Sequence, residues 1–281
     1  GIFIFSDYAV TPDEPLHREN GLISLKFIFS LFFTNLTSNE LVINIPNLYN
    51  DWRKTYGTLF DLPFAFIEFF FELNIEKIFL LKHFSLFIIY FISTIFFFLL
   101  IKKNLNSKKI AIMGVLILIS SPRIFSHSFY NSKDILFLSF MIFAVYYSVS
   151  FLKEQKLKQV VLSGIFCALA TNIRVLAIYM PLLVILFYFF LEKKTFKLFI
   201  PIYSFIYLII LYCIWPFLWA SPIENFLIIF KESVSYPNWW KFKTLYLGNY
   251  LNPENLPWHY FFVWFLISNP ITYILLIICG I

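Results

Sequence analysis

Apolar residues run along the chain in long unbroken blocks parted by short polar segments, with little strict alternation. Unbroken blocks suit helices in lipid, whose backbone groups bond within the segment. A transmembrane barrel needs alternating apolar and polar positions. The clearest blocks cover residues 78–101, 110–121, 135–152, 160–170, 175–191, 196–219 and 258–281. Several fall short of the roughly 20 residues that a full crossing needs. Polar neighbours facing the interior of a bundle would extend them. Two shorter runs, 22–33 and 62–71, sit inside a long polar stretch and read as helices lying in the membrane interface. Residues 1–5 read as the tail of a membrane helix that precedes this sequence, because no basic n-region or cleavage site marks a signal peptide.

Lysines orient the blocks. The connections 102–109, 153–158 and 192–197 hold ten lysines against two acids, Glu154 and Glu192. By the positive-inside rule these face the cytoplasm. Residues 6–77, 122–134, 171–174 and 220–257 then face the other side, with fourteen acids and all four arginines. Guanidinium is the better fork for carboxylate or phosphate, so this distribution places chemistry outside the cytoplasm. The pattern predicts an all-α polytopic transmembrane helical bundle, with short interfacial helices in the first extracytoplasmic loop.

Composition closes off other classes. Hydrophobic residues make up 60% of the 281-residue chain and charged residues 14%. A soluble globule could not cover such a core, and a disordered or nucleic-acid-binding chain would be far more polar. The thirty-nine Phe against seven Gly reflect a skewed composition and carry no functional reading. Cys167, Cys213 and Cys279 lie in apolar blocks without metal-ligand spacing, as inert buried thiols do. No phosphate-binding loop, dinucleotide fingerprint or HExxH pattern is present. The energy for a reaction would therefore arrive with a lipid-linked substrate.

Four polar segments carry candidate chemistry. Asp7 to Glu19 holds four acids, His17 and Arg18, and Pro12 and Pro15 are expected to keep Asp13 and Glu14 in a non-helical backbone. A solvated cap is the alternative reading. The second segment, 121–134, contains Arg123, His127, Lys133 and Asp134. Asp134 either stabilises a helix dipole or joins Arg123 and Lys133 in a phosphate and carboxylate rim. The third, 170–174, ends in Arg174 between two apolar blocks, where it either snorkels or acts. The fourth runs from Ser235 through Trp239 and Trp240 to Tyr260 and reads as an aromatic belt or a stacking surface for a sugar or headgroup.

The order of these segments resembles a known group. An Asp-Glu pair is followed by Tyr56-Gly57-Thr58-Leu59-Phe60-Asp61-Leu62, then Pro122-Arg123, Asn131-Ser132-Lys133-Asp134, Asn172-Ile173-Arg174 and Leu256-Pro257-Trp258-His259-Tyr260. The chain is similar to the polytopic glycosyltransferases of the GT-C superfamily, near the protein O-mannosyltransferase and lipid A aminoarabinose transferase group. The resemblance implies one catalytic transmembrane domain over 1–281, a fragment with its first helix and C-terminal part incomplete. It implies a multi-pass protein of a bacterial inner membrane with its active site on the periplasmic or extracellular side. The donor would be a polyprenyl-phosphate sugar and the acceptor a protein, lipid or glycan, with membrane lipids around it and no nucleic acid.

The resemblance also maps the catalytic carboxylate onto Asp13, with Glu14 beside it and Asp134 as the second acidic position. Asp13 would be the general base, and Glu14 would orient the acceptor or a divalent ion. Arg123, Lys133, Arg174 and Arg18 would hold the donor phosphate. His17 is either a metal ligand or a hydrogen-bonding loop residue, and no residue spacing demands a metal. A lipid-linked sugar flippase or other membrane transporter is the competing class, together with a non-catalytic subunit. A transporter would line its midplane with charge, whereas the helix centres here are nearly free of it.

Overall fold

The computed structural model describes residues 1–190, 196–234 and 243–280. The chain is an all-α polytopic membrane protein, and it divides into two compact units, Gly1–Val234 and Ser235–Ile281.

In the first unit, residues 1–5 form a turn leading into a 3-10 turn at Phe5–Asp7, where the sequence suggested the tail of a helix. Helix α1 then runs from Asp13 to Phe32. This corrects the expectation that Asp13 and Glu14 are non-helical. Proline is tolerated in the first helical turn, where its missing N–H has no intrahelical partner to lose. Pro12 takes helical angles at the cap and Pro15 sits in the first turn. The run 22–33 is thus the second half of a 20-residue helix. A short helix α2 (Glu40–Ile43) and several 3-10 turns lead to α3 (Asp61–Phe71), which packs on α1.

Helices α4 (Ile75–Leu105) and α7 (Asp134–Glu154) are long and apolar enough to cross a membrane. Between them, α5 (Lys108–Ser120) and α6 (Pro122–Tyr130) form a pair bent by 68°. Ser121 stays extended ahead of Pro122, as the residue before a proline prefers. Both lysine-rich connections leave their helices through a left-handed residue, Asn106 after α4 and Gln155 after α7.

Helix α8 (Leu157–Ile173) outruns its apolar block at both ends, and its Ser163, Thr171 and Asn172 are buried against neighbouring helices. A 3-10 turn, Val175–Ile178, precedes α9 (Tyr179–Phe190). Helix α10 (Phe196–Cys213) stops before Trp215 and Pro216, which break the expected run to 219 into a separate 3-10 turn, Pro216–Trp219. Helix α11 (Pro222–Val234) lies within the segment 220–257 between two apolar blocks. The largest core cluster lies between α7, α8, α9 and α10, around Phe151, Cys167, Tyr188 and Tyr203.

The second unit contains a hairpin of β1 (Thr244–Tyr246) and β2 (Asn249–Leu251), turning on Leu247 and Gly248, both at positive φ. Such a two-residue turn matches the twist of its strands, and glycine makes it sterically easy. The apolar block 258–281 is broken into α12 (Tyr260–Ser268) and α13 (Ile271–Gly280), bent by 112° around Asn269 and Pro270. Trp239, Trp240 and the connection 192–195 lie outside the described residues.

Candidate active site

Asp13 and Glu14 are neighbours in sequence and opposites in environment. Glu14 is buried, with Oε1 2.7 Å from Nε2 of His83 on α4. Its Oε2 accepts from the backbone N–H and the hydroxyl of Thr11, at 2.7 and 3.1 Å. This is one half of a capping box, in which a carboxylate satisfies an orphan donor at the helix start. Glu14 therefore fastens the head of α1. Asp13 stands exposed on the first turn, with no hydrogen-bond partner among the described residues.

One turn further, His17 lies within electrostatic range of Lys133, Asp61, Lys82 and Asp13. Burial, reinforced by the two lysines and opposed by the two aspartates, pulls its pKa down to about 4. Beneath it lies a cluster of buried charge. Asp61 opens α3 and is 2% exposed; its Oδ1 accepts from Lys82 Nζ of α4 at 2.9 Å. Its Oδ2 is 3.6 Å from Lys133 Nζ, which donates to the Gly57 carbonyl at 3.2 Å. Burial opposes ionisation of Asp61, yet the two lysines and His17 hold its carboxyl below the usual range. Burial pulls Lys133 below the ordinary lysine range, with Asp61 acting the other way.

Two glycines allow this convergence. A Cβ on Gly57 would lie 1.6 Å from the Asn172 carbonyl oxygen, and one on Gly21 would lie 2.5 Å from the Asp61 carbonyl oxygen. Only hydrogen fits at either contact. The Asn172 side chain secures the same junction, accepting from Leu59 N at 2.9 Å and donating to the Ile214 carbonyl at 3.4 Å.

Asp134, at the first turn of α7, is exposed and ion-paired with Arg174, the C-cap of α8. Asn131 binds Asp134 twice, donating to its carboxylate at 3.0 Å and accepting its backbone N–H at 2.8 Å. Arg123 is exposed on α6, within electrostatic range of His127. Arg18 is committed elsewhere: its Nε donates to both oxygens of the buried Glu68, at 3.0 and 2.9 Å. The structure thus brings segments 56–62, 133–134 and 172–174 to one junction beside the head of α1, and turns Arg18 away to α3.

Asp61 stands in the motif 56–62 without an assigned role, and Lys82 and His83 are missing from the residues that sequence reasoning selected. Lys82 and His83 carried a readable signal: both are ionisable positions inside an apolar block. They lie in the early turns of α4, not at its centre. Among the described residues, no three His, Cys, Asp or Glu side chains form a metal-binding group.

The fold and this junction define a polytopic membrane protein with polar chemistry gathered where loops meet helix ends. Residues 62–219 match the profile of the family described as dolichyl-phosphate-mannose-protein mannosyltransferase, and the chain belongs to that family, of GT-C type. It is accordingly a membrane glycosyltransferase of mannosyltransferase type. The match contains Lys82, Arg123, Lys133, Asp134 and Arg174; Asp13, Glu14, His17 and Asp61 precede it. No curated protein and no solved structure matches the chain.

Proposed function

We propose that the protein transfers a mannosyl-type sugar from a polyprenyl-phosphate carrier to a hydroxyl of an acceptor protein, on the extracytoplasmic face. The observation that carries this reading is the contrast at the head of α1. Glu14 is consumed as an anchor, which leaves Asp13 exposed and uncommitted beside a cationic junction. Asp13 is the base: its carboxylate takes the acceptor hydroxyl proton as that oxygen bonds to the anomeric carbon. The bond from that carbon to the phosphate oxygen breaks, and the electron pair leaves with the polyprenyl phosphate. No proton donor is needed for such a leaving group, only positive charge. Lys133, Arg174 and Arg123 are its candidate partners, and Asp134 orients Arg174 through their ion pair.

Two further features support the reading. The lysines after α4 and α7 favour, by the positive-inside rule, a topology with the junction on the outer side. An apolar cavity of about 390 Å³, lined by Ile178, Tyr207, Leu208, Leu211 and Phe226, begins four residues past Arg174 and suits the isoprenoid chain of the donor. Its Tyr207 donates to Thr171 at 3.2 Å, one turn of chain before Arg174.

Asp13→Asn tests the assignment. Turnover of dolichyl-phosphate mannose by the purified protein should fall by roughly 10²-fold or more, the scale of a lost general base. Membrane insertion should be unchanged. Wild-type transfer by this variant removes Asp13 from the mechanism.

A further inference from the structure

The buried cluster at Asp61 has an uneven charge balance. One carboxylate serves two lysines, and His17, kept neutral down to about pH 4, adds none. The two ion pairs differ: Lys82 sits at 2.9 Å from one oxygen and Lys133 at 3.6 Å from the other. Lys82 is thus the neutralising partner of Asp61. Lys133 is held more loosely, by Asp61 and the Gly57 carbonyl together, with its ammonium 5.8 Å from the centre of the Tyr56 ring. The Lys133 side chain is 16% exposed, so its surplus charge is poorly solvated yet open to an anion.

The position of Asp61 is itself fixed. Its carbonyl is pressed against Gly21 of α1, and its carboxylate reaches α4 and the start of α7. Asp61 therefore links the helix that bears Asp13 to the lysine at the head of α7. We propose that Asp61 is a positioning residue, which holds the Lys133 ammonium toward the phosphate of the lipid-linked donor while Lys82 absorbs its charge. This rests on the reading of Lys133 as a donor-phosphate ligand given above. It adds the carboxylate that aims that lysine and a division of labour between two lysines.

The probe is dolichyl phosphate binding to the purified full chain in detergent, with uncharged dolichol as the control. Lys133→Met should weaken dolichyl phosphate binding by about tenfold or more, the value of one charge-assisted hydrogen bond, and leave dolichol unchanged. The pair Asp61→Asn with Lys82→Met removes a buried carboxylate together with its neutralising partner, so the unfolding temperature should stay near wild type. Its dolichyl phosphate affinity should nevertheless fall as far as that of Lys133→Met. Adding Lys133→Met to it should then cost little more. Lys82→Met alone leaves one balanced buried pair and should fold. It should also weaken phosphate binding, because Asp61 then neutralises Lys133. Asp61→Glu should recover part of the affinity.

Wild-type phosphate affinity in Lys82→Met, or in the Asp61/Lys82 pair while Lys133→Met is impaired, overturns the positioning role alone. Wild-type affinity in Lys133→Met overturns the phosphate reading and this inference with it.

Discussion

Two ends of α4 carry lysine-carboxylate pairs, and they do different work. Near its start, Lys82 and Asp61 are 3% and 2% exposed and lie 2.9 Å apart. Near its finish, roughly 30 Å along the helix at 1.5 Å per residue, Lys103 pairs with Glu154 of α7 at 29% and 28% exposure. Lys156 joins the same carboxylate from a more exposed position, and Lys153 bonds to Asn104. Water screens the second group, so its pairs add little to stability, and on the proposed topology its charges mark the cytoplasmic side. Burial removes that screening from the first group. There each charge must be answered by a particular partner, and a surplus charge becomes a demand for a ligand.

The largest effect expected from this contrast is on stability. Asp61→Asn alone strands two lysines at the junction, and breaking a buried pair in this way costs about 3–5 kcal/mol. Thermal unfolding in detergent should show a large drop, and adding Lys82→Met should recover most of it. Equal losses in the single and double variants would mean that Asp61 supports the fold through its backbone contact with Gly21 and not through charge.

A second effect separates the buried junction by pH. The unfolded chain takes a proton on His17 near its ordinary pKa of 6.5, and the folded chain refuses it down to about 4. Between those values the unfolded state binds more protons, so stability falls as pH is lowered through the window. His17→Gln should flatten this part of the dependence, measured as unfolding temperature between about pH 7 and about pH 5. An unchanged slope in that variant would assign the dependence to other groups.

These residues also mark how far the sequence reaches. The apolar blocks delimit α4 and α7 to within a few residues, because a helix in lipid advertises its length in one continuous run. Pairings across distant positions leave no such trace. Asp61 and Lys82 are 21 residues apart, Arg18 and Glu68 50, and Glu14 and His83 69. Nothing local in Arg18 distinguishes it from Arg174, although one is spent on a buried glutamate and the other lies at the junction. The prolines around Asp13 misled for a different reason. Proline breaks a helix interior but is accepted in the first turn, and only the capping contact of Glu14 with Thr11 shows which case applies.

A smaller effect concerns the apolar cavity. Leu208 lines it and is 62% exposed, so a larger side chain there should not disturb the core. Leu208→Trp should raise KM a few-fold for a donor with a long polyprenyl chain and leave a short-chain donor unaffected. Equal effects on both donors would separate the cavity from the lipid tail.

The smallest effect is expected at the far end of α4. Glu154→Gln removes the carboxylate shared by Lys103 and Lys156. Lys103 retains its bond to Ser150 at 2.9 Å, and the lysines keep their hydration. Neither unfolding temperature nor sugar transfer should change measurably, since exposed pairs gain little over solvated charges. Replacing the lysines of 102–109 and 153–158 with glutamine should likewise spare the chemistry; on the proposed topology it should also randomise the orientation of the helices, which protease accessibility of the two faces can follow. A loss of transfer in Glu154→Gln with correct orientation would mean that the two ends of α4 are energetically coupled, and burial alone would no longer explain why one lysine pair acts and the other only marks a side.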